Sequence, residues 1–192
     1  MQDITIHSNT LPETFEHAIV LAKANEARRL VFLFEKHAPR KMHLSVTLAG
    51  KKSSVEILWA YKGSGDMQTD IALDIVHKAE GTASNVNFKG ALADSSRVTF
   101  HGTVRIEKSA KYADAKLGAK ALLLSEQARA FIKPDLEILQ NEVKASHGSS
   151  IGRVSAKDLF YLRSRGLSEK EAKKICVAGF FQDMSNVLAL TP

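Results

Sequence analysis

Val98-Thr99-Phe100-His101-Gly102-Thr103-Val104-Arg105-Ile106 alternates apolar with polar positions at every step. Side chains two apart on a strand share a face, so this run reads as a strand with one face buried and one wet. The same alternation recurs on either side of it. Met42, Leu44, Val46 and Leu48 are interleaved with His43, Ser45 and Thr47. Val55, Ile57, Trp59 and Tyr61 are interleaved with Glu56, Leu58 and Ala60. Thr69, Ile71, Leu73 and Ile75 oppose Asp70, Ala72 and Asp74. Turns are marked by Ala49-Gly50-Lys51-Lys52, Lys62-Gly63-Ser64-Gly65-Asp66 and Ala93-Asp94-Ser95-Ser96. Strands recurring every dozen or so residues, with no helices between them, fit a sandwich, a barrel or a β-solenoid. Periodicity does not choose among these, although the lack of a hexapeptide repeat argues against an acyltransferase-type left-handed solenoid.

The N-terminal third admits two readings. Pro12–Arg29 has helix-forming composition. Ala18-Ile19-Val20-Leu21-Ala22 and Leu30-Val31-Phe32-Leu33-Phe34 also read as two buried strands joined by Lys23–Arg29, and strands are the expectation. The C-terminal end changes character. After Val143-Lys144-Ala145-Ser146-His147-Gly148 come two short helical patterns, opened by Ser155-x-x-Asp158 and Ser168-x-x-Glu171. In such capping boxes a Ser oxygen and a carboxylate satisfy the first orphan amides of a helix. Gly166 is placed to end the first helix in a left-handed conformation.

Composition sets the bounds. The chain has 192 residues, 44% of them hydrophobic and 25% charged, ordinary for a globular protein with a substantial core. No run of about 18 apolar residues exists and the N-terminus lacks a basic-then-apolar signal, so a spanning helix and secretion are both unsupported. One cysteine precludes an internal disulfide framework and fits a reducing, cytoplasmic setting. Net charge is +6, of which +4 falls within residues 153–174. A basic patch serves nucleic acid or an acidic protein partner, or is simply solvated. Aromatics are not interleaved with these basic residues as a stacking platform requires, so no nucleic acid is expected. No nucleophile elbow, phosphate loop or zinc–cysteine pattern occurs, and the chain is expected to be non-catalytic.

The C-terminal stretch closely resembles the end of the SufB/SufD family, scaffold subunits of the SUF iron–sulfur cluster assembly machine. The matching residues are Lys144-Ala145-Ser146-His147-Gly148, Ile151-Gly152-Arg153 and Leu159-Phe160-Tyr161-Leu162-Arg163-Ser164-Arg165-Gly166-Leu167-Ser168-Glu169-Lys170-Glu171-Ala172. They look more like the SufD type than the SufB type. Ala121-Leu122-Leu123-Leu124-Ser125, Lys133-Pro134-x-Leu136-Glu137-Ile138 and Asn87-Phe88-Lys89-Gly90 are similar to the family as well. The resemblance is strong from about Ile71 onward and implies a right-handed parallel β-helix core over residues 1–150, with a small α-helical hairpin in 151–192. Full-length members carry a further helical region before the β-helix, so this chain is expected to be a minimal version or a piece of a longer one.

The resemblance also implies roles. His147 matches the histidine of the SufD-type motif, at a subunit interface where a nascent cluster forms, and a neutral imidazole is a competent iron ligand. Otherwise it is a histidine that caps the last β rung. Many SufD-type members have cysteine where this chain has Ala145, and residues 1–148 contain no thiol at all. A partner must therefore supply the thiolate, and no stably bound cofactor is expected, only transient iron or a cluster at the interface. Phe160, Tyr161, Arg163 and Arg165 match the segment that docks SufC, an ABC-type ATPase, and aromatic and arginine side chains are the types that anchor interfaces. The β body would pair through its last strands with a SufB-like subunit or with itself. Cys176, between Ala172 and Phe180 on one helical stripe, reads as packing. His77 reads as a satisfied core or edge histidine, His43 shares no ligand spacing with it, and His101 reads as a surface residue. Glu137 and Glu142 either assist iron or are solvated. Two other functions fit less well: a β-helix carbohydrate protein, for which one Trp and three Tyr offer little, and a purely structural ATPase adaptor.

Overall fold

A computed structural model describes residues 2–7, 11–35 and 37–184, so the last eight residues of the expected C-terminal region lie outside the described residues. Among the described residues eleven strands come first: β1 (Gln2–His7), β2 (Thr14–Leu21), β3 (Ala27–Phe34), β4 (Lys41–Leu48), β5 (Ser54–Gly63), β6 (Gln68–His77), β7 (Ala83–Leu92), β8 (Arg97–Ile106), β9 (Asp114–Leu123), β10 (Arg129–Ile138) and β11 (Lys144–Arg153). Two helices follow, α1 (Ala156–Ser164) and α2 (Glu169–Phe180), then a single 3-10 turn (Gln182–Met184). Odd-numbered strands form one sheet in the order β1-β3-β5-β7-β9-β11, and even-numbered strands form the other, β10-β8-β6-β4-β2. Neighbours within each sheet run parallel. The chain thus winds as a β-solenoid of about five turns, with the core between its two sheets.

Register shows how the sequence dictates this. Ser54 pairs with Ala83 and Ala83 with Asp114, so one turn takes 29 and then 31 residues. Each inward position stacks on its counterpart in the next turn. Phe32, Trp59 and Phe88 form one such column, and Phe32 stacks on Trp59 with ring centroids 4.3 Å apart. Phe100 of the opposite sheet meets Trp59 edge-on at 6.1 Å and stacks on Phe88 at 4.6 Å. All four rings are fully buried, and aromatic packing of this kind dominates core energetics.

The corners repeat as well. Asn25, Lys52, Gly81 and Tyr112 each take a positive φ, between 57° and 69°. The amide of each donates to a carbonyl one turn ahead, on Lys51, Glu80, Lys111 and Glu142 respectively. Gly50 is required for a different reason: a Cβ there would lie 2.1 Å from the Lys23 carbonyl oxygen of the preceding turn.

The N-terminal third is strands, not a helix over Pro12–Arg29. β2 buries Leu21 and half-buries Phe15 and Ile19, while β3 buries Leu30, Phe32 and Phe34. Helix propensity is a weak preference, and stacking on the next turn overrides it. His77 sits fully buried in the core, bonded through Nδ1 to Thr82 Oγ1 and through Nε2 to Ser84 Oγ, both at 2.9 Å. Burial pushes its pKa down to about 4, so the ring is neutral at ordinary pH.

Candidate functional site

The last turn carries the same alternation as the others, with a different result. Ala145, His147, Ser149 and Ile151 of β11 pair with the buried Ala115, Leu117, Ala119 and Ala121 of β9. They hold inward register positions, and His147 continues a column of Leu30, Ile57, Val86 and Leu117. Yet His147, Ser149 and Ile151 are exposed, Ile151 to 46%, and only Ala145 is half-buried. The cause is topological. β11 has β9 on one side and β10 has β8, and among the described residues neither has a strand on its other side. The edge leaves backbone donors and acceptors of two strands open, with Phe131, Ile138 and Leu139 exposed on β10 and just beyond it.

His147 also borders a groove of about 490 Å³ along the outer face of the odd-numbered sheet, shared with Glu56, Asn87, Lys116, Ser146 and Asp183. No three His, Cys, Asp or Glu side chains converge to hold a metal among the described residues. Glu142 is committed to Lys111 at 2.9 Å, which holds its carboxyl below the usual range, and Glu137 lies 3.5 Å from Arg105. His43 and His101 point outward on the even-numbered sheet, tied to Asp74 at 2.7 Å and Asp135 at 2.8 Å.

The helical hairpin grows out of this last turn. Arg153 Nη1 donates to the Ser125 carbonyl at 2.7 Å, and Ser155 caps α1 by accepting from the Asp158 amide. That box is one-sided, whereas Ser168 and Glu171 form the full reciprocal pair at α2, with Glu171 Oε2 accepting from the Ser168 amide at 2.8 Å. The hydrogen bonds from Ser168 hold the Glu171 carboxyl below its ordinary pKa. Gly166, at φ +91°, ends α1 as expected. Its amide bonds to the Arg163 carbonyl and that of Leu167 to the Leu162 carbonyl, which is a Schellman closure.

The two helices are seated differently. α1 buries no residue. Phe160 is 75% exposed and Tyr161 57%, with the Arg165 guanidinium 5.2 Å from the Tyr161 ring centroid and Arg163 exposed nearby in sequence. Of these four residues the structure brings Tyr161 and Arg165 together, Phe160 and Arg163 being exposed on the same helix, while His147 belongs to the strand before it. α2, by contrast, leads into a buried anchor. Phe181 and Met184 pack on Leu58, Ala60 and Ala91, outward-facing residues of β5 and β7. Cys176 is half-buried on α2.

This anchor escapes the sequence reading, which puts Leu58 and Ala60 on a wet face. The available signal was the unbroken apolar run Ile57-Leu58-Trp59-Ala60-Tyr61, which implies cover on both faces of a strand.

The family model for the SUF system FeS cluster assembly SufBD core domain matches residues 13–180. This chain belongs to the SufBD family. Among relatives, the iron–sulfur cluster assembly protein SufD of Bacillus subtilis (strain 168) is 33% identical over 128 residues, covering 67% of this chain and 29% of that protein. A SufBD family protein of Staphylococcus saprophyticus is 30% identical over 131 residues, 68% of this chain and 28% of its own length. One from Mycobacterium tuberculosis H37Rv is 29% identical over 146 residues, 76% of this chain and 17% of its own length. This SufBD chain thus spans less than a third of the curated relatives it matches. No helix among its described residues is long and apolar enough to cross a membrane.

Proposed function

We propose that this SufBD chain is a SufD-like, non-catalytic scaffold subunit of a SUF complex in the cytoplasm. Its last turn is completed by another chain, a SufB-like subunit or a second copy, through the open edges of β10 and β11. His147 stands at that seam and contributes a ligand to transient iron or to a nascent cluster. The partner provides the thiolate, because residues 1–148 contain no cysteine. The hairpin docks a SufC-type ABC ATPase through Phe160, Tyr161, Arg163 and Arg165.

The observation that supports this reading is the inward column that ends uncovered at His147. Apolar and small polar side chains in inward register positions, exposed beside two open strand edges, fit pairing with a further strand. A purely structural adaptor role would need no imidazole there.

The test of the docking half is co-elution with a purified SufC-type ATPase, using the wild type and a Phe160→Ala/Arg163→Ala double variant. A complex with the wild type and none with the folded variant is the expected result. A complex that survives the double substitution overturns the docking assignment, and no complex at all from folded wild type overturns the ATPase partnership.

A further inference from the structure

Lys89 is out of place on a solenoid exterior. It holds an outward position on β7, in register with Ala60 before it and Lys120 after it, and Lys120 is exposed as expected. The Lys89 side chain, however, is only 8% exposed. An ammonium taken out of water needs compensation, because desolvation of an unpaired charge is costly. Lys89 finds it entirely in the C-terminal segment. Nζ donates to the Phe180 carbonyl at 2.7 Å, pairs with the Asp183 carboxylate and lies 5.2 Å from the Phe180 ring centroid.

The chemistry suits a helix end. Phe180 is the last residue of α2, where unsatisfied carbonyls carry the negative pole of the helix dipole and favour a cation. α2 has no basic residue in its own last turn, so Lys89 is the cation that meets this pole from across the sheet. Burial pushes the Asp183 carboxyl up, and its hydrogen bond and charge interaction with Lys89 more than offset this, leaving it below the ordinary range. Beside this polar clamp, Phe181 and Met184 sit on the apolar strip of Leu58, Ala60 and Ala91. Lys62 approaches the Phe181 ring at 5.9 Å.

We infer that Lys89 is the positioning residue of the hairpin, a clamp that locks the end of α2 to the outer face of the β body and so fixes the direction in which α1 projects. α1 buries nothing of its own and takes its orientation from the chain on either side, at Arg153 and at this clamp. This deepens the proposed ATPase docking and rests on that reading only for its use: a pull on α1 reaches the β body through a rigid seat at the far end of the hairpin instead of dissipating in a loose one.

The sole cysteine reports on the clamp without any partner. Cys176 lies on α2, one turn before Phe180, and is half-buried. Its reaction with an aromatic disulfide reagent is to be timed in wild type, Lys89→Met, Lys89→Arg and Phe181→Ala. Local opening governs such rates. The expected result is a rate at least about tenfold faster in Lys89→Met and Phe181→Ala, since loss of a charged hydrogen-bond partner or an apolar plug shifts a local equilibrium by that order. The cooperative melting of the β body should not change, and Lys89→Arg should recover most of the protection. Unchanged Cys176 rates in both Lys89→Met and Phe181→Ala overturn the clamp. Failure of the wild type to bind the ATPase would retire the docking reading while leaving the thiol result to stand for or against the clamp.

Discussion

Trp59 and Ser149 occupy the same inward column of the same sheet, three turns apart, and their surroundings are opposite. Between them the column runs through Phe88 and Ala119. Trp59 is fully buried against Phe32 and Phe100, whereas Ser149 is exposed. Backbone geometry and register are shared, so the difference comes from what covers each turn. A middle turn of a solenoid has a neighbour on both sides and is filled by large apolar side chains. The last turn has one neighbouring turn among the described residues, and the inward positions of β11 hold Ala145, His147, Ser149 and Ile151. Ser149 thus stands where Trp59 and Phe88 fill the middle turns, and His147 where aliphatic side chains do, so that small and polar residues take much of the last turn. They also keep the exposed end from being a broad greasy patch.

The largest effect should separate these two ends directly. Trp59→Ala removes a fully buried indole and should cost about 3–5 kcal/mol, with chemical denaturation showing a large loss of midpoint or no folded protein. Ser149→Ala should change stability by less than about 0.5 kcal/mol. Comparable losses at both positions would break the contrast between a packed middle and an open end.

The buried His77, in an inward column of the packed middle, sharpens it further. His77 is neutral in the folded protein with a pKa of about 4, against an ordinary value of 6.5. In that window the unfolded chain binds the proton and the folded one does not, so stability rises with pH. The contribution is complete above about pH 6.5 and is lost as pH falls toward 4, by up to about 3 kcal/mol. Denaturation across pH 4 to 7 should show this slope in wild type. A His77→Gln variant should lose most of it. A slope that survives unchanged in His77→Gln would mean that the buried His77 is not its source.

The smallest effect concerns the hairpin. Ser168→Ala removes the reciprocal cap of α2 and should cost about 1 kcal/mol of local helix stability. Amide exchange within 169–180 should accelerate while the β body is unchanged. Equal acceleration in both would mean that the hairpin and solenoid unfold as one unit.

Much of the architecture was legible in the chain, because period-two alternation over Met42–Leu48 and Val98–Ile106 reports burial on one face directly. What alternation does not carry is the turn-to-turn register. Trp59, Phe88, Ala119 and Ser149 share a column without resembling one another, so no repeat shows in the letters. The parallel solenoid was legible only through the motifs that resemble the SufBD family. The N-terminal strands were ambiguous because the helix propensity of residues 12–29 competes with a stacking energy that only the neighbouring turn reveals. Capping chemistry, being local, read correctly at Gly166 and Ser168. The Lys89 anchor was not legible, since it joins residues about ninety positions apart through a lysine that looks ordinary on its strand.

We propose that the open last turn works through His147 at a seam with another chain. It is tested most directly by reconstituting the complex with a SufB-like subunit and a SufC-type ATPase and measuring iron–sulfur cluster yield for wild type and His147→Ala. A clear fall in yield is expected, with folding and ATPase binding intact. Unchanged yield from an intact complex would contradict it.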